Sequence, residues 1–457
     1  QSKLDTVEQR ATQLVATAVA ANGTAAFVPE GAFDWSVLGG VGTVDQTGLF
    51  NATTAGTGSV RAVLSIANKT GATAVNVTAV VITQTKWTIL VYINAANNLF
   101  PDSDLNVNQM ETVADNPQVR FVLQWKQSQA LFPDSSFDGV RRYLVKPDTT
   151  SSIVSELVQA NLKDNLGNPL DMGKPQTLLD FINWAKTFYP ADRYGLIIWN
   201  HGNGWHRTPE LATSRAFSYD DATGSAIQTW EMDQAFGTNH FDFIAWDASL
   251  MQMIEVAYEA RSHADFVVGS EESPPAEGYP YDLVFAKFRD NPDDTTANLT
   301  KAFVDGMLSN PPYVTRKITQ SSLDTTKIAD LATSLSTLAA ALDANKAAIQ
   351  TLVQDARDTS QSYSQTTQRY YRDTYDLCLK LEAEPGMPAA VVNAAADVRA
   401  KITAAVLWEG HNTNSPNSHG ISIDFSPSTV FVASQSDYAQ MKFATDTLWD
   451  EWLAVAP

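Results

Sequence analysis

Cysteine is almost missing from this chain: Cys378 is the one thiol in 457 residues. A single cysteine excludes an internal disulfide framework and any zinc site built from several thiolates. Cys378 stands in the mixed segment YYRDTYDLCLKLE and is expected to be a buried small apolar residue rather than a reactive thiol. Basic residues are scarce too, with 31 Lys and Arg against 51 Asp and Glu and a net charge of −20. A field of that sign repels nucleic acid and anionic lipid and favours cationic ligands, so no nucleic-acid partner is expected. No apolar run approaches the ~20 residues that a membrane-spanning helix needs. No basic-then-apolar leader precedes Gln1, and any export signal is expected to have been removed or to lie outside this chain. Several catalytic signatures are absent as well. Without His-Glu-x-x-His a zincin mechanism has no support, and without Gly-x-Ser-x-Gly an α/β-hydrolase has none. The stretch Gly167 to Lys174 imitates a phosphate loop, but its spacing is too long and Pro175 stands where Ser or Thr is required.

What is present is ample material for large cores: 44% of residues are hydrophobic, including 11 Trp and 20 Phe. The length suggests roughly two to three domains. Residues 1–85 are rich in Ala, Thr, Val and Gly, in short alternating runs broken by turn residues, which predicts a small all-β sandwich. From Trp87 onward the pattern changes. The apolar runs WTILVYINA, VRFVLQW, YGLIIWNHG, FDFIAWDAS and DFVVGSEE alternate with helical stretches such as 104–114, 175–189 and 250–262. Continuous apolar strands separated by helices predict an α/β fold for residues 86–457, with a mostly parallel sheet covered on both faces. A long helix is expected over 326–357, paired as a hairpin with 361–383. A further strand in HGISIDF and a final amphipathic helix over 438–453 complete the expectation.

Two strand ends carry candidate chemistry. One delivers His201, followed by Gly202-Asn203-Gly204, where glycines let the backbone turn and approach a ligand closely. The other ends in Asp247-Ala248-Ser249 and is expected to run into a helix that begins at Ser249. That would place residue 249 beside unpaired N–H donors and the positive end of a helix dipole, which can stabilise a thiolate or an oxyanion. Each end has a plainer reading: a hydrogen-bonded loop histidine, an N-cap serine, and an aspartate satisfied by backbone N–H groups.

Taken together, the ends resemble the clostripain family of cysteine peptidases, relatives of gingipain, legumain and the caspases. The residues that carry this are His201-Gly202 and Asp247-Ala248-Ser249-Leu250-Met251 with Glu255-Val256-Ala257-Tyr258. They are joined by Trp87 to Tyr92, Asn97-Asn98-Leu99, Gly269-Ser270-Glu271-Glu272, Gly278-Tyr279-Pro280-Tyr281-Asp282 and His419-Gly420-Ile421-Ser422-Ile423. The resemblance implies a caspase/gingipain-like αβα sandwich and a secreted or cell-surface bacterial endopeptidase. It implies His201 as general base or acid, residue 249 as nucleophile, and the N–H groups of Gly202 and residue 249 as oxyanion hole. Asp247, with Glu277 as a second acidic candidate, would attract Arg or Lys at the cleavage position of a protein or peptide substrate. Members of the family carry cysteine where this chain has Ser249, so this form is expected to be inactive or strongly impaired. An introduced Cys→Ser replacement, a natural pseudopeptidase that binds basic peptides, and a natural serine peptidase all remain open. Self-cleavage is expected at Arg215-Ala216 rather than at Arg207, giving a zymogen. The resemblance also implies a calcium requirement, with Asp102, Asp104, Asp220 and Asp221 as candidate donors. No EF-hand spacing is present and the metal ligands stay unassigned. A monomer is expected. The stretch from Trp35 to Val81 resembles a bacterial immunoglobulin-like domain, on Trp35-Ser36-Val37, Gly48-Leu49-Phe50 and Gly56-Thr57-Gly58. That likeness implies a spacer or adhesion module.

Overall fold

Along the first apolar run after the β-rich region, side chains alternate between two cores. Ile89, Val91 and Ile93 enter one cluster of buried residues while Leu90 and Tyr92 enter another. A strand that is apolar at every position is therefore buried on both faces, as the unbroken hydrophobic runs require. The structure, a computed structural model, describes residues 3–29, 31–205, 217–363 and 370–457.

Nine strands form the main sheet: β1 Thr85–Asn94, β2 Val119–Gln127, β3 Gly139–Leu144, β4 Glu156–Gln159, β5 Ala191–Trp199, β6 Phe241–Asp247, β7 Ala264–Gly269, β8 Thr319–Asp324 and β9 Val406–His411. Their spatial order is β4-β3-β2-β1-β5-β6-β7-β8-β9. The five central strands β2, β1, β5, β6 and β7 are mutually parallel, and both flanks are extended by antiparallel strands. Helices Phe100–Glu111, Tyr281–Asp290 and Thr296–Ser309 pack on one face. Helices Pro175–Phe188, Ile254–Ala260, Ile328–Thr359, Thr374–Ala383 and Ala389–Ala405 cover the other. This is the α/β sandwich expected from the sequence. No helix among the described residues is long and apolar enough to cross a membrane.

Residues 3–78 form two small sheets, one of four strands and one of three, around Leu4, Phe50, Val60, Val75 and Val77. They dock on the main sheet's edge. Gln9 Oε1 accepts from Gln159 Nε2 (2.6 Å) and Trp184 Nε1 (3.0 Å), and Asn51 exchanges two hydrogen bonds with the Ala160 backbone. The docked unit covers β4, whose free backbone edge would otherwise invite strand addition.

Three local expectations fail. The helix after Ser249 starts only at Ile254. Leu250 turns the chain with φ +65°, and the next residues are held as extended chain. Gln252 N–H donates to Ser270 O (3.1 Å), and Gln252 O accepts from Ser422 N–H (3.0 Å). Buried Leu250, Met251 and Met253 are thereby inserted into the core. The expected hairpin partner over 361–383 is instead the strands Ser362–Tyr363 and Tyr371–Asp373 followed by helix Thr374–Ala383. Tyr371–Asp373 pairs with Ser362–Tyr363 on one side and Ser422–Asp424 on the other in a separate small sheet, so HGISIDF does not extend the main one. Lastly, 438–453 is broken into short helices that include Lys442–Asp446 and Trp449–Leu453. Thr447 is extended (φ −129°, ψ 174°), and the break lets Phe443, Trp449 and Trp452 all be buried.

Candidate active site

The parallel strands all end at one edge of the sheet, the edge where ligands bind in open α/β folds. The tips of β1, β5, β6 and β7 supply Asn97 to Leu99, His201, Asp247 to Ser249, and Ser270 to Glu272 respectively. β5 and β6 are neighbours in register, with Trp199 opposite Asp247, and Asn200 N–H donates to Asp247 O (3.1 Å). His201, Asp247 and Ser249 line a single pocket of about 180 Å³, walled by Leu99, Pro274, Pro275, Ala276 and Gly278. The two strand ends singled out in the sequence therefore converge.

Gly202 explains how closely they do so. A Cβ at that position would stand 2.5 Å from Ser249 O and 2.9 Å from Ser249 N. A glycine is required there because one backbone lies directly against the other. Neither the Gly202 N–H nor the Ser249 N–H donates to a described residue. The Ser249 hydroxyl likewise makes no hydrogen bond among the described residues. The His201 Nε2 is paired with Asn98 Oδ1 at 2.7 Å. Burial lowers the His201 pKa below its ordinary value, which favours the neutral ring. With the helix displaced to Ile254, residue 249 lacks the helix N-terminus expected for it, and neither the dipole nor an N-cap role applies.

Asp247 is buried, 5% exposed, and both its oxygens are engaged. They accept from Tyr279 N–H (3.1 and 3.2 Å), and Oδ2 also accepts from the Tyr281 hydroxyl (2.9 Å). Desolvation outweighs these bonds and raises its pKa to about 7. Glu277 does not line the pocket itself. It sits between the wall residues Ala276 and Gly278, half-buried, with its carboxylate 3.9 Å from Arg316. Asp102 lies close enough to Glu277 that burial, with that neighbouring charge, raises its pKa.

Other expected residues are elsewhere or undescribed. Arg207, Arg215 and Ala216 lie outside the described residues. Their flanks are firmly seated: Trp205 is buried with Nε1 on Asp424 (3.0 Å), and buried Phe217 packs edge-on against Trp246. Cys378 is buried in the core, where desolvation pushes its thiol pKa up. Among the described residues, no group of three or more His, Cys, Asp or Glu could hold a metal ion. Asp220 is instead paired with buried Lys126 (2.6 Å). What sequence reasoning missed is the setting of these groups: Asn98 on the histidine, and Tyr279 and Tyr281 sealing Asp247. Both lie in motifs that had been noted, but nothing in their spacing marks which side chains they meet.

Comparison with known proteins bears on the family and the fold. A sequence model of the clostripain family (peptidase C11) matches residues 91–454. Clostripain of Hathewaya histolytica is 27% identical over 234 residues, a match covering 46% of this chain and 44% of that protein, so under half of it is spanned. An inactive zymogen C11 protease from Parabacteroides distasonis is similar in structure, with a TM-score of 0.59, 18% identity, and coverage of 80% of this chain and 99% of that one. A secreted C11 cysteine protease from Bacteroides thetaiotaomicron, solved with an irreversible peptide inhibitor, has a TM-score of 0.58 and 19% identity over the same shares. The family model covers well over half of the chain and takes in every residue that lines the pocket, and on that ground the chain belongs to the clostripain family.

Proposed function

We propose that this chain is a cysteine endopeptidase of the clostripain type, held in a strongly impaired form by Ser249. The observation that carries the reading is the convergence of His201, Ser249 and Asp247 on one pocket, with Gly202 packed against residue 249. With a thiol at position 249, sulfur would attack the scissile carbonyl while His201 accepts its proton. The oxyanion would take the N–H groups of Gly202 and residue 249, neither of which has another described partner. His201 would then return the proton to the leaving amine, and water would release the acyl group. A serine hydroxyl does not ionise near neutrality and needs a base bonded to it at rest. Ser249 has no such bond among the described residues, which supports an activity lower by several orders of magnitude.

Cleavage after Arg or Lys is supported by the acidic surroundings, Asp247 inside the pocket with Glu277 and Asp102 about its wall. Secretion or surface exposure, self-cleavage at Arg215-Ala216 and a calcium requirement belong to the same proposal, as does an immunoglobulin-like spacer role for residues 1–85. No calcium ligands are assigned, and no catalytic step is routed through the ion.

The test is Ser249→Cys assayed on an Arg-containing peptide amide against an Ala control. Turnover of the Arg peptide at least ~100-fold above the Ser249 form is expected. A folded but inert Ser249→Cys protein overturns the peptidase reading. Ser in place of a thiol at position 249, beside a retained acidic pocket, favours one other reading, a pseudopeptidase that binds basic peptides without cutting them. Binding of the Arg peptide by an inert Ser249→Cys protein would establish it.

A further inference from the structure

We infer that Asn98 is a positioning residue for His201, fixing which ring nitrogen faces the pocket. This rests on the proposed role of His201. The asparagine belongs to the segment after β1, and its amide oxygen lies 2.7 Å from His201 Nε2 across 103 residues of sequence. An amide oxygen can only accept, so a neutral ring bonded to it carries its proton on Nε2. The lone pair is then on Nδ1, the nitrogen left to take a proton from residue 249 and return it to the leaving amine.

The segment that presents Asn98 is unusually well tied. Asn97 Nδ2 donates to Asn94 O (3.1 Å) and Tyr219 O (3.3 Å), and its Oδ1 accepts from Leu99 N–H (3.0 Å). Asn200, the residue before the histidine, donates from the opposite side to the same Asn94 and Tyr219 carbonyls. The Tyr219 ring stands edge-on to the imidazole, with centroids 6.1 Å apart. Two asparagines thus clamp the tips of β1 and β5 together, and the one between them, Asn98, is left exposed and aimed at the ring. Burial lowers the pKa of His201, no charged group among the described residues is seen to shift it, and the Tyr219 ring stands against the imidazole. A neutral amide therefore orients the histidine without stabilising its charged form. That suits an imidazole that must be neutral to accept a proton and acidic enough to give it up.

Two experiments test this. In the Ser249 protein as it stands, ¹⁵N-histidine labelling with long-range ¹H–¹⁵N correlation reads the tautomer directly and needs no activity. His201 is expected as the Nε2–H form, turning into a tautomer mixture in Asn98→Ala. A His201 signal of the Nδ1–H form, or one unchanged in Asn98→Ala, overturns the inference. In the Ser249→Cys background, Asn98→Ala is expected to lower kcat by roughly 10- to 100-fold with little change in KM, a part of what acid–base catalysis contributes. Asn98→Asp keeps the acceptor and adds charge, so it should recover orientation while moving the acidic limb of the kcat/KM profile to higher pH. Unaltered kcat in Asn98→Ala, or an unmoved limb in Asn98→Asp, speaks against positioning. Should Ser249→Cys itself prove inert, the peptidase reading fails, and the tautomer measurement still decides the role of Asn98.

Discussion

Gly202→Ala is the substitution whose consequence the structure states most directly. The added methyl would lie 2.5 Å from Ser249 O, 2.9 Å from Ser249 N and 3.0 Å from Ala248 Cβ. Atoms of this kind rest in contact near ~3.5 Å, so the tips of β5 and β6 must separate by roughly 1 Å. Two of the opposing atoms are backbone and the third is a buried alanine, so no flexible side chain can give way. Overpacking of this sort costs about 1–3 kcal/mol. The effect on chemistry should be larger than the effect on stability, because a ~1 Å misplacement of a reacting group costs about 100-fold in rate. Thermal melting of Gly202→Ala should therefore show a loss of a few degrees in Tm. In the Ser249→Cys background, the same change should remove nearly all turnover of an Arg peptide amide. Gly71→Ala, where a Cβ meets nothing within 4 Å, is the control and should leave turnover intact. If Gly202→Ala melts and turns over like its parent, the two tips are not in contact, and the oxyanion site drawn between them is wrong.

Further outcomes follow from the same structure. Asp247 has a pKa raised to about 7, and a bound cation favours its ionised form, so KM for an Arg peptide should fall as pH rises through 7 in Ser249→Cys. Asp247→Asn should raise KM ~10-fold or more and flatten that dependence, whereas a KM insensitive to both pH and the substitution removes Asp247 from recognition. Buried Glu255 is raised to about 8 by desolvation and by Asp424, and Glu259 is raised to about 7 by desolvation. A carboxyl whose folded pKa is raised stabilises the fold below its unfolded pKa, and that contribution is lost as pH rises through the folded value. Unfolding free energies from urea titrations should therefore decline from pH 5 to 8, by up to ~1.4 kcal/mol per pH unit per group, and less steeply in Glu255→Gln; free energies that rise over this range contradict it. Lys126→Met leaves Asp220 buried without its partner and should cost about 3–5 kcal/mol by chemical denaturation. A loss under ~1 kcal/mol would show that the pair is not buried in solution. Cys378 should resist a thiol reagent until the protein is denatured, and rapid labelling of the native protein would refute its burial.

The alternation of apolar runs with helical stretches was enough to identify a sheet covered on both faces, because full burial leaves a strand no polar positions. It was also enough to locate His201 and Ser249 at strand tips, since the runs stop there and glycine follows the histidine. Local pattern misjudged what came next. The serine before an apolar stretch looked like a helix start, but Ser270 and Ser422 supply strand-like backbone partners that draw residues 250–253 into extended chain. The expected C-terminal helix failed for a related reason. Extended Thr447 interrupts it, and the short helices on either side bury Phe443, Trp449 and Trp452 in one core.

The amino-acid order by itself determined which residues sit at the strand tips, because periodicity is a local property; that Gly202 must be glycine was decided by the Ser249 backbone that the fold lays against it. The electrical and hydrogen-bonding state of those residues was decided only by tertiary structure. Asn98 meets His201 from 103 residues away, and the Tyr281 hydroxyl meets Asp247 from 34 away. A pKa or a tautomer is set by whatever the fold brings within a few ångströms, and that neighbourhood is not written in the local sequence.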